Sequence, residues 1–214
     1  MTDSWGEVDL VMTTIITTCL DSEKYFGDLD SVVGDGDFGY SLARGFEKVQ
    51  AQYGELDRTD IGTFLKKVGM LVTSRIGGTS GPIWGTAFLR AGMTAGATTS
   101  LDGADVVAML RAAVAGIMTR GGAELGDKTL LDALVPMTDS IEESLAAGAS
   151  SDEIVDRAAV VTRSAADATA ELVAKRGRAA YTGERSRGSV DAGATAVAVI
   201  IEQIAEVWKT RESR

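Results

Sequence analysis

The sequence predicts an all-α protein: eight helices in an up-and-down antiparallel barrel or bundle, with a polar site at one end. Apolar residues recur at three-to-four spacing in segment after segment of the 214 residues, the period of helices with one buried face. Only two prolines occur, aromatic residues are few and alanine is abundant, a composition that favours helix over sheet. The β-branched pairs Val32-Val33 and Val160-Val161 are too short to compete as strands. Segments of about four to six turns fit a bundle, and the length fits a single domain over 1–214.

The first helix is predicted over 4–26, where Trp5, Val8, Met12, Ile15, Ile16 and Cys19 share a face. Asp3 or Ser4 suits its N-cap, and Glu7 completes a capping box with Ser4. An acidic glycine-rich loop follows. A second helix over 39–52 turns Leu42, Phe46 and Val49 inward, and a third over 59–75 does so with Ile61, Phe64, Leu65, Val68, Leu71 and Val72. Gly77-Gly78-Thr79-Ser80-Gly81-Pro82 then opens a fourth helix over 83–97 with a proline at its start. That helix is apolar nearly all round, through Ile83, Trp84, Ala87, Phe88, Leu89 and Met93, so a central position is expected. A fifth over 103–120 leads into the polar stretch Arg120 to Thr129, and a sixth over 129–147 contains Pro136 and should kink there. The seventh runs over 151–175. After a loop holding Arg176, Arg178, Arg185 and Arg187, a last helix covers 194–209.

Composition narrows the chemistry. A net charge of −10 without a basic cluster argues against a nucleic-acid partner, because neutralising phosphates needs a basic footprint. Cys19 is the only cysteine and histidine is absent, which excludes an intrachain disulfide, a thiolate cluster, a Ser-His-Asp triad and a His-ligated zinc. What remains for a metal is oxygen, and so magnesium or calcium. No apolar run reaches the ~20 residues of a membrane span, and Met1-Thr2-Asp3-Ser4-Trp5 lacks a signal-peptide pattern, so a cytoplasmic protein off the membrane is expected.

Asp30, Asp35 and Asp37 fall within eight residues, separated by Gly34 and Gly36 and followed by Gly39. Like charges so close resist ionising unless a cation sits between them. A hard-metal site is one reading, with the glycines taking left-handed dihedrals so that the carboxylates converge; an acidic surface turn is the other. The Gly-Gly-Thr-Ser-Gly loop reads as a backbone cradle for an anion or as a plain interhelix loop, and the arginine loop as a phosphate or carboxylate binder or a solvated loop. Their order favours function. The glycine-rich loops follow helices one, three, five and seven, and in an up-and-down arrangement alternate loops share one end, so all four should converge on a metal-nucleotide site.

These residues carry a resemblance. Gly34-Asp35-Gly36-Asp37-x-Gly39, Gly77-Gly78-Thr79-Ser80-Gly81-Pro82, Gly126-Asp127-Lys128-Thr129 and Gly177-Arg178-Ala179-x-Tyr181-x-Gly183-Glu184-Arg185-Ser186 resemble, in order, the motifs of the nucleotide-binding L subunit of dihydroxyacetone kinases. The likeness spans about residues 5 to 208. It implies a barrel of eight antiparallel helices with the nucleotide at one end. It further implies that Asp30, Asp35 and Asp37 ligate magnesium, as two ions, and serve the transfer of phosphate from ADP- or ATP-derived donors. Phe38, Gly39, Tyr40, Ser41, Thr79, Ser80, Gly121, Leu130, Arg178, Asp191 and Gly193 match the positions that hold the nucleotide. The sequence departs from the family at Phe38, Ser41 and Leu42, where His, Asn and Met are usual, at Ser189, where His is common, and at Ala192, where proline is usual.

By the same resemblance, the ketose acceptor is held covalently on a histidine of a separate K-type subunit, and this chain, having no histidine, depends on that partner. A phosphohistidine carrier protein that recharges fixed ADP, freely exchanging ATP, and a homodimer are further expectations of the family. So is an alternative role, in which L subunits act as nucleotide-charged co-regulators of a transcription activator. A calcium-binding structural module is the remaining rival, weakened by the absence of the 12-residue EF-hand pattern around Asp30-x4-Asp35-x-Asp37.

Overall fold

The structure, a computed structural model, describes residues 4–78 and 80–211. Among these residues there is no strand, and nine α-helices follow one another: α1 (Ser4–Asp21), α2 (Glu23–Asp30), α3 (Phe38–Gln52), α4 (Ile61–Arg75), α5 (Ser80–Ala95), α6 (Gly103–Gly121), α7 (Leu131–Ala146), α8 (Ser151–Ala168) and α9 (Ala192–Thr210). The eight long helices close a ring. Helix α1 packs on α3, each helix from α3 to α8 packs on the next, and α9 returns to α1, while the short α2 leans on α3 and α9. Phe26, Phe46, Phe64, Leu42, Ile61, Ile117 and Leu131 are fully buried inside it. Each such side chain contributes roughly 1.5–3 kcal/mol on leaving water.

The first predicted helix is two. The chain bends at Ser22 (φ −94°, ψ 10°) and continues as α2 to Asp30, beyond the expected end at 26. Ser22 N–H still donates to Thr18 O at 3.0 Å and Phe26 N–H to Ser22 O at 2.9 Å, so the hydrogen-bond ladder crosses the bend almost intact. As a consequence Asp30 stands on the last turn of a helix, a stiffer platform than the loop expected for it. Asp3 lies outside the described residues. The Ser4 hydroxyl is spent on the far side of the barrel, accepting the Leu101 N–H at 3.1 Å.

Helix α5 is a wall of the ring and not its axis: Trp84 is buried, but Met93 is 62% exposed. Its apolar surface is consumed by unusually close neighbours, since a Cβ on Gly85 would lie 2.8 Å from Gly69 O and one on Gly92 2.7 Å from Gly62 O. Helix α7 continues unbroken through Pro136. Helix α8 stops at Ala168, short of 175, and passes into a 3-10 turn over Thr169–Glu171. Returning chain competes for its end: Asp191 N–H donates to Thr169 Oγ1 (2.8 Å) and Gly188 N–H to Ala170 O (2.8 Å). The arginine loop is itself wound as a 3-10 segment over Arg178–Ser186.

At the end of the barrel holding the α3–α4 connection, Arg58 grips Asp9 through both terminal guanidinium nitrogens (2.9 and 2.7 Å). The same guanidinium lies 5.2–5.3 Å from the ring centres of Trp5, Tyr53 and Phe64. Burial opposes ionisation of Asp9, but Arg58 and the Tyr53 hydroxyl outweigh it and hold the carboxyl below its usual range.

Candidate functional site

Asp30, Asp35 and Asp37 each offer a carboxylate oxygen, and the three oxygens lie within 4.8 Å of one another. The glycines between them do different work from that expected. Only Gly36 is left-handed (φ +76°). Gly34 is required by close approach, since a Cβ there would stand 2.3 Å from Asp30 Oδ1, against the carboxylate itself. Gly39 serves packing: a Cβ would lie 2.0 Å from Glu23 O and 2.6 Å from Gly27 N, inside the backbone of α2. Phe38 donates its N–H to Asp30 Oδ2 at 3.3 Å, and its ring is buried beside Phe26, 6.2 Å between centres. The donor set is all oxygen, in a chain without histidine whose single thiol is buried, so it fits a hard divalent cation and no softer one.

The cluster opens into a cavity of about 750 Å³. Its walls come from the four connections after α2, α4, α6 and α8, which therefore share one end of the ring, and α3, α5, α7 and α9 begin at its edge. Helix α3 has no side-chain cap; its Phe38 N–H goes to Asp30 and its Ser41 N–H to Asp37 O at 2.9 Å. Leu29, Val33, Pro82, Ile83, Trp84 and Ile117 make one side apolar, as a planar organic group requires.

Of the residues singled out from the sequence, Asp30, Asp35, Asp37, Phe38, Ser80, Gly121, Leu130, Arg178, Asp191 and Gly193 line this cavity. Thr79 lies outside the described residues. Three do not reach the wall. Gly39 is locked against α2, Tyr40 is exposed with Arg44 over its ring (5.1 Å), and the Ser41 hydroxyl sits behind the second loop, 3.8 Å from where a Gly77 Cβ would be. Cavity residues not singled out individually from the sequence include Trp84, Arg120, Lys128 and Arg176. Arg120, Lys128 and Arg176 lay in glycine-rich loops expected at this end, and nothing in those runs says what each side chain touches.

Arg178 is the nearest cation to the cluster. Its guanidinium bonds Asp35 Oδ2 and, at 3.0 Å, Asp37 Oδ2. Lys128 is buried, with burial drawing its ammonium below the ordinary lysine range. Burial also opposes ionisation of Asp127, but Arg176 Nε (2.8 Å), the Glu124 N–H (3.1 Å) and Lys175 hold it below the usual carboxylate range. Asp191 behaves oppositely: burial, with Asp132 nearby, pushes it up to about 7, although it accepts the Ala194 N–H at 2.7 Å as the cap of α9.

The DAK2 domain family matches residues 32–206, most of the chain. The chain belongs to the DAK2 domain family. Asp35 and Asp37 thus lie within the matched stretch of the DAK2 domain, and Asp30 two residues before it. The PEP-dependent dihydroxyacetone kinase ADP-binding subunit DhaL of Escherichia coli is 38% identical over 89% of this chain and 92% of its own. The L-erythrulose 1-kinase of Mycolicibacterium smegmatis is 38% identical over 92% of this chain but only 34% of its own length. Among solved structures, the dihydroxyacetone kinase of C. freundii aligns with a TM-score of 0.73 and 27% identity over 94% of this chain and 34% of that one. Its complex with AMP-PNP and Mg2+ aligns at 0.71 and 26% identity, over 92% of this chain and 33% of that one. This chain thus covers nearly all of the first relative and about a third of the length of the others.

Proposed function

We propose that this chain is the nucleotide-binding subunit of a dihydroxyacetone-type kinase, giving a phosphoryl group to a short ketose held on a separate K-type subunit. The observation that carries the reading is a three-carboxylate cluster facing a nucleotide-sized, half-apolar cavity. The likeness to a kinase solved with AMP-PNP and Mg2+ supports it. Asp30, Asp35 and Asp37 would hold the magnesium, as two ions. Bound there, magnesium offsets phosphate charge, which is most of what phosphoryl transfer asks of a protein. The chain's own residues do the rest. Phe38 N–H fixes the Asp30 carboxylate, and Arg178 supplies a guanidinium whose planar fork suits phosphate oxygens.

The acceptor must come from elsewhere, because no histidine is present to carry a ketose adduct. The names of the relatives include both a dihydroxyacetone and an L-erythrulose kinase, so the acceptor is a three- or four-carbon ketose selected by the partner. The E. coli relative is PEP-dependent and ADP-binding by name, which favours fixed ADP recharged by a phosphohistidine carrier protein. Turnover by the reconstituted pair with ATP alone would reject that donor scheme.

Calorimetric titration of Mg·ADP into wild type, Asp35→Ala and Asp37→Ala tests the site. Affinity should vanish in both variants with helical circular dichroism unchanged; retained affinity would mean that the cluster is only an acidic turn.

A further inference from the structure

Lys128 has a combination of features that its place on the cavity wall does not require. It is 3% exposed and holds a left-handed backbone (φ +61°), a strained conformation for a non-glycine residue. Among the described residues it pairs with no carboxylate at ion-pair distance. Instead its three N–H groups go to three backbone carbonyls: Leu172 O (3.2 Å), Ser186 O and Ser189 O (2.6 Å). Asp127, its neighbour, grips the same segment nearer the middle. The Asp127 carbonyl accepts the Lys175 N–H (3.0 Å), and its carboxylate bonds Arg176 Nε (2.8 Å). Two adjacent residues thus hold positions 172, 175, 176, 186 and 189, on both sides of Arg178. In the arch between these anchors, Arg178 is the residue that reaches Asp35 and Asp37.

We propose that Lys128 is a positioning residue: it sets the arch that carries Arg178 to the aspartate cluster, and acts on the phosphate end of the cavity through Arg178. The proposal rests on the nucleotide-site reading above. A lysine that merely fills the interior would show no such dependence on Arg178, so coupling between the two positions separates the alternatives.

The test is a double-mutant cycle in the full chain: Lys128→Met, Arg178→Met and the pair, with Lys128→Arg as a fourth variant. Each is measured by calorimetry for Mg·ADP affinity and, without nucleotide, by the rate of trypsin cleavage after Arg185. Lys128→Met and Arg178→Met should each weaken Mg·ADP by about tenfold, and the pair by no more than about twofold beyond Arg178→Met. Lys128→Arg, which restores a cation with several donors, should recover part of the affinity. Nucleotide-free Lys128→Met should be cut after Arg185 several times faster than wild type. Losses that multiply to about a hundredfold in the pair, or wild-type affinity in Lys128→Met, would overturn the proposal. If Lys128→Met does not fold, the cycle is run with Lys128→Arg, and multiplicative losses there overturn it equally. A wild type that fails to bind Mg·ADP defeats the functional reading instead; unchanged cleavage after Arg185 then defeats this one separately.

Discussion

Replacing Gly39 by alanine should damage the proposed magnesium site without touching any of its three aspartates. The new Cβ would lie 2.0 Å from Glu23 O and 2.6 Å from Gly27 N, where ordinary contact begins at 3.4 Å. Relief requires α2 to retreat from α3 by about 1.4 Å, the difference between 3.4 and 2.0. The obstacle is backbone on both sides, so no side chain can swing away to absorb it. Overpacking of this kind costs about 1–3 kcal/mol, and each kcal/mol lowers the melting temperature of a chain this size by about 2–4 °C. Asp30 is the last residue of α2 and moves with it. Because magnesium holds its ligands at about 2.0–2.1 Å in near-ideal geometry, a displacement of that size should cost at least tenfold in Mg·ADP affinity. Gly54→Ala is the control, since a Cβ there meets nothing within 4 Å. Its melting temperature should stay close to wild type, within about 0.5 kcal/mol of stability. Differential scanning calorimetry and Mg·ADP titration decide. A Gly39→Ala protein that melts lower yet binds normally would refute the link from α2 to Asp30, and one that matches wild type in both would refute the packing itself.

Asp191 predicts a pH dependence whose sign follows from its raised pKa. Folding lifts its pKa from the ordinary 3.8 to about 7, so between these values the native state holds a proton that the unfolded chain has lost. Stability therefore falls as pH rises through that window, by roughly 4 kcal/mol for this group. Asp191→Asn keeps an oxygen for the Ala194 N–H, and urea denaturation from pH 4 to 8 should find this decline missing from the variant; parallel pH profiles would refute the assignment. At the other end of the barrel, Arg58→Met should cost about 1–2 kcal/mol by removing the Asp9 pair and the contacts with three rings. Because the lowered pKa of Asp9 contributes stability that is lost as pH falls, the gap between variant and wild type should narrow below about pH 4, as chemical denaturation will report.

The ring and the shared end of its four glycine-rich connections were legible because both follow from local pattern. Helical period sets the elements, and alternation sets the end. The missed bend at Ser22 had no local cause to read: Asp21 and Ser22 are neither glycine nor proline, and the hydrogen bonds run almost through it. Helix α5 was misplaced because an all-round apolar helix normally signals enclosure, whereas here Gly62, Gly69, Gly85 and Gly92 let two backbones meet and exhaust one face. The same blindness affected Gly34 and Gly39. A glycine in sequence advertises dihedral freedom, but its second use, the absence of a Cβ where backbone or carboxylate must approach, depends on residues that only the fold brings near. Lys128 is the extreme case, its partners lying 44 to 61 positions away.

The premise that three crowded aspartates need a cation is met only in part by the chain itself, since Arg178 pairs with two of the three, and the relative strength of its contacts says what can move. Arg178 and the two aspartates it bonds are each about half exposed, at 55, 46 and 54% of their side chains. Ion pairs in that setting are worth about 0–1 kcal/mol and weaken with salt. Lys128, by contrast, makes its bonds in the interior, where losing one partner leaves a buried charge or carbonyl unpaired at a cost of about 1–3 kcal/mol for each group. If the arginine's ion pairs held the arch, a competing cation at the aspartates would release the whole segment. With the hold at Asp127 and Lys128, only the Arg178 side chain is free to change partners, and the wall of the cavity stays where it is.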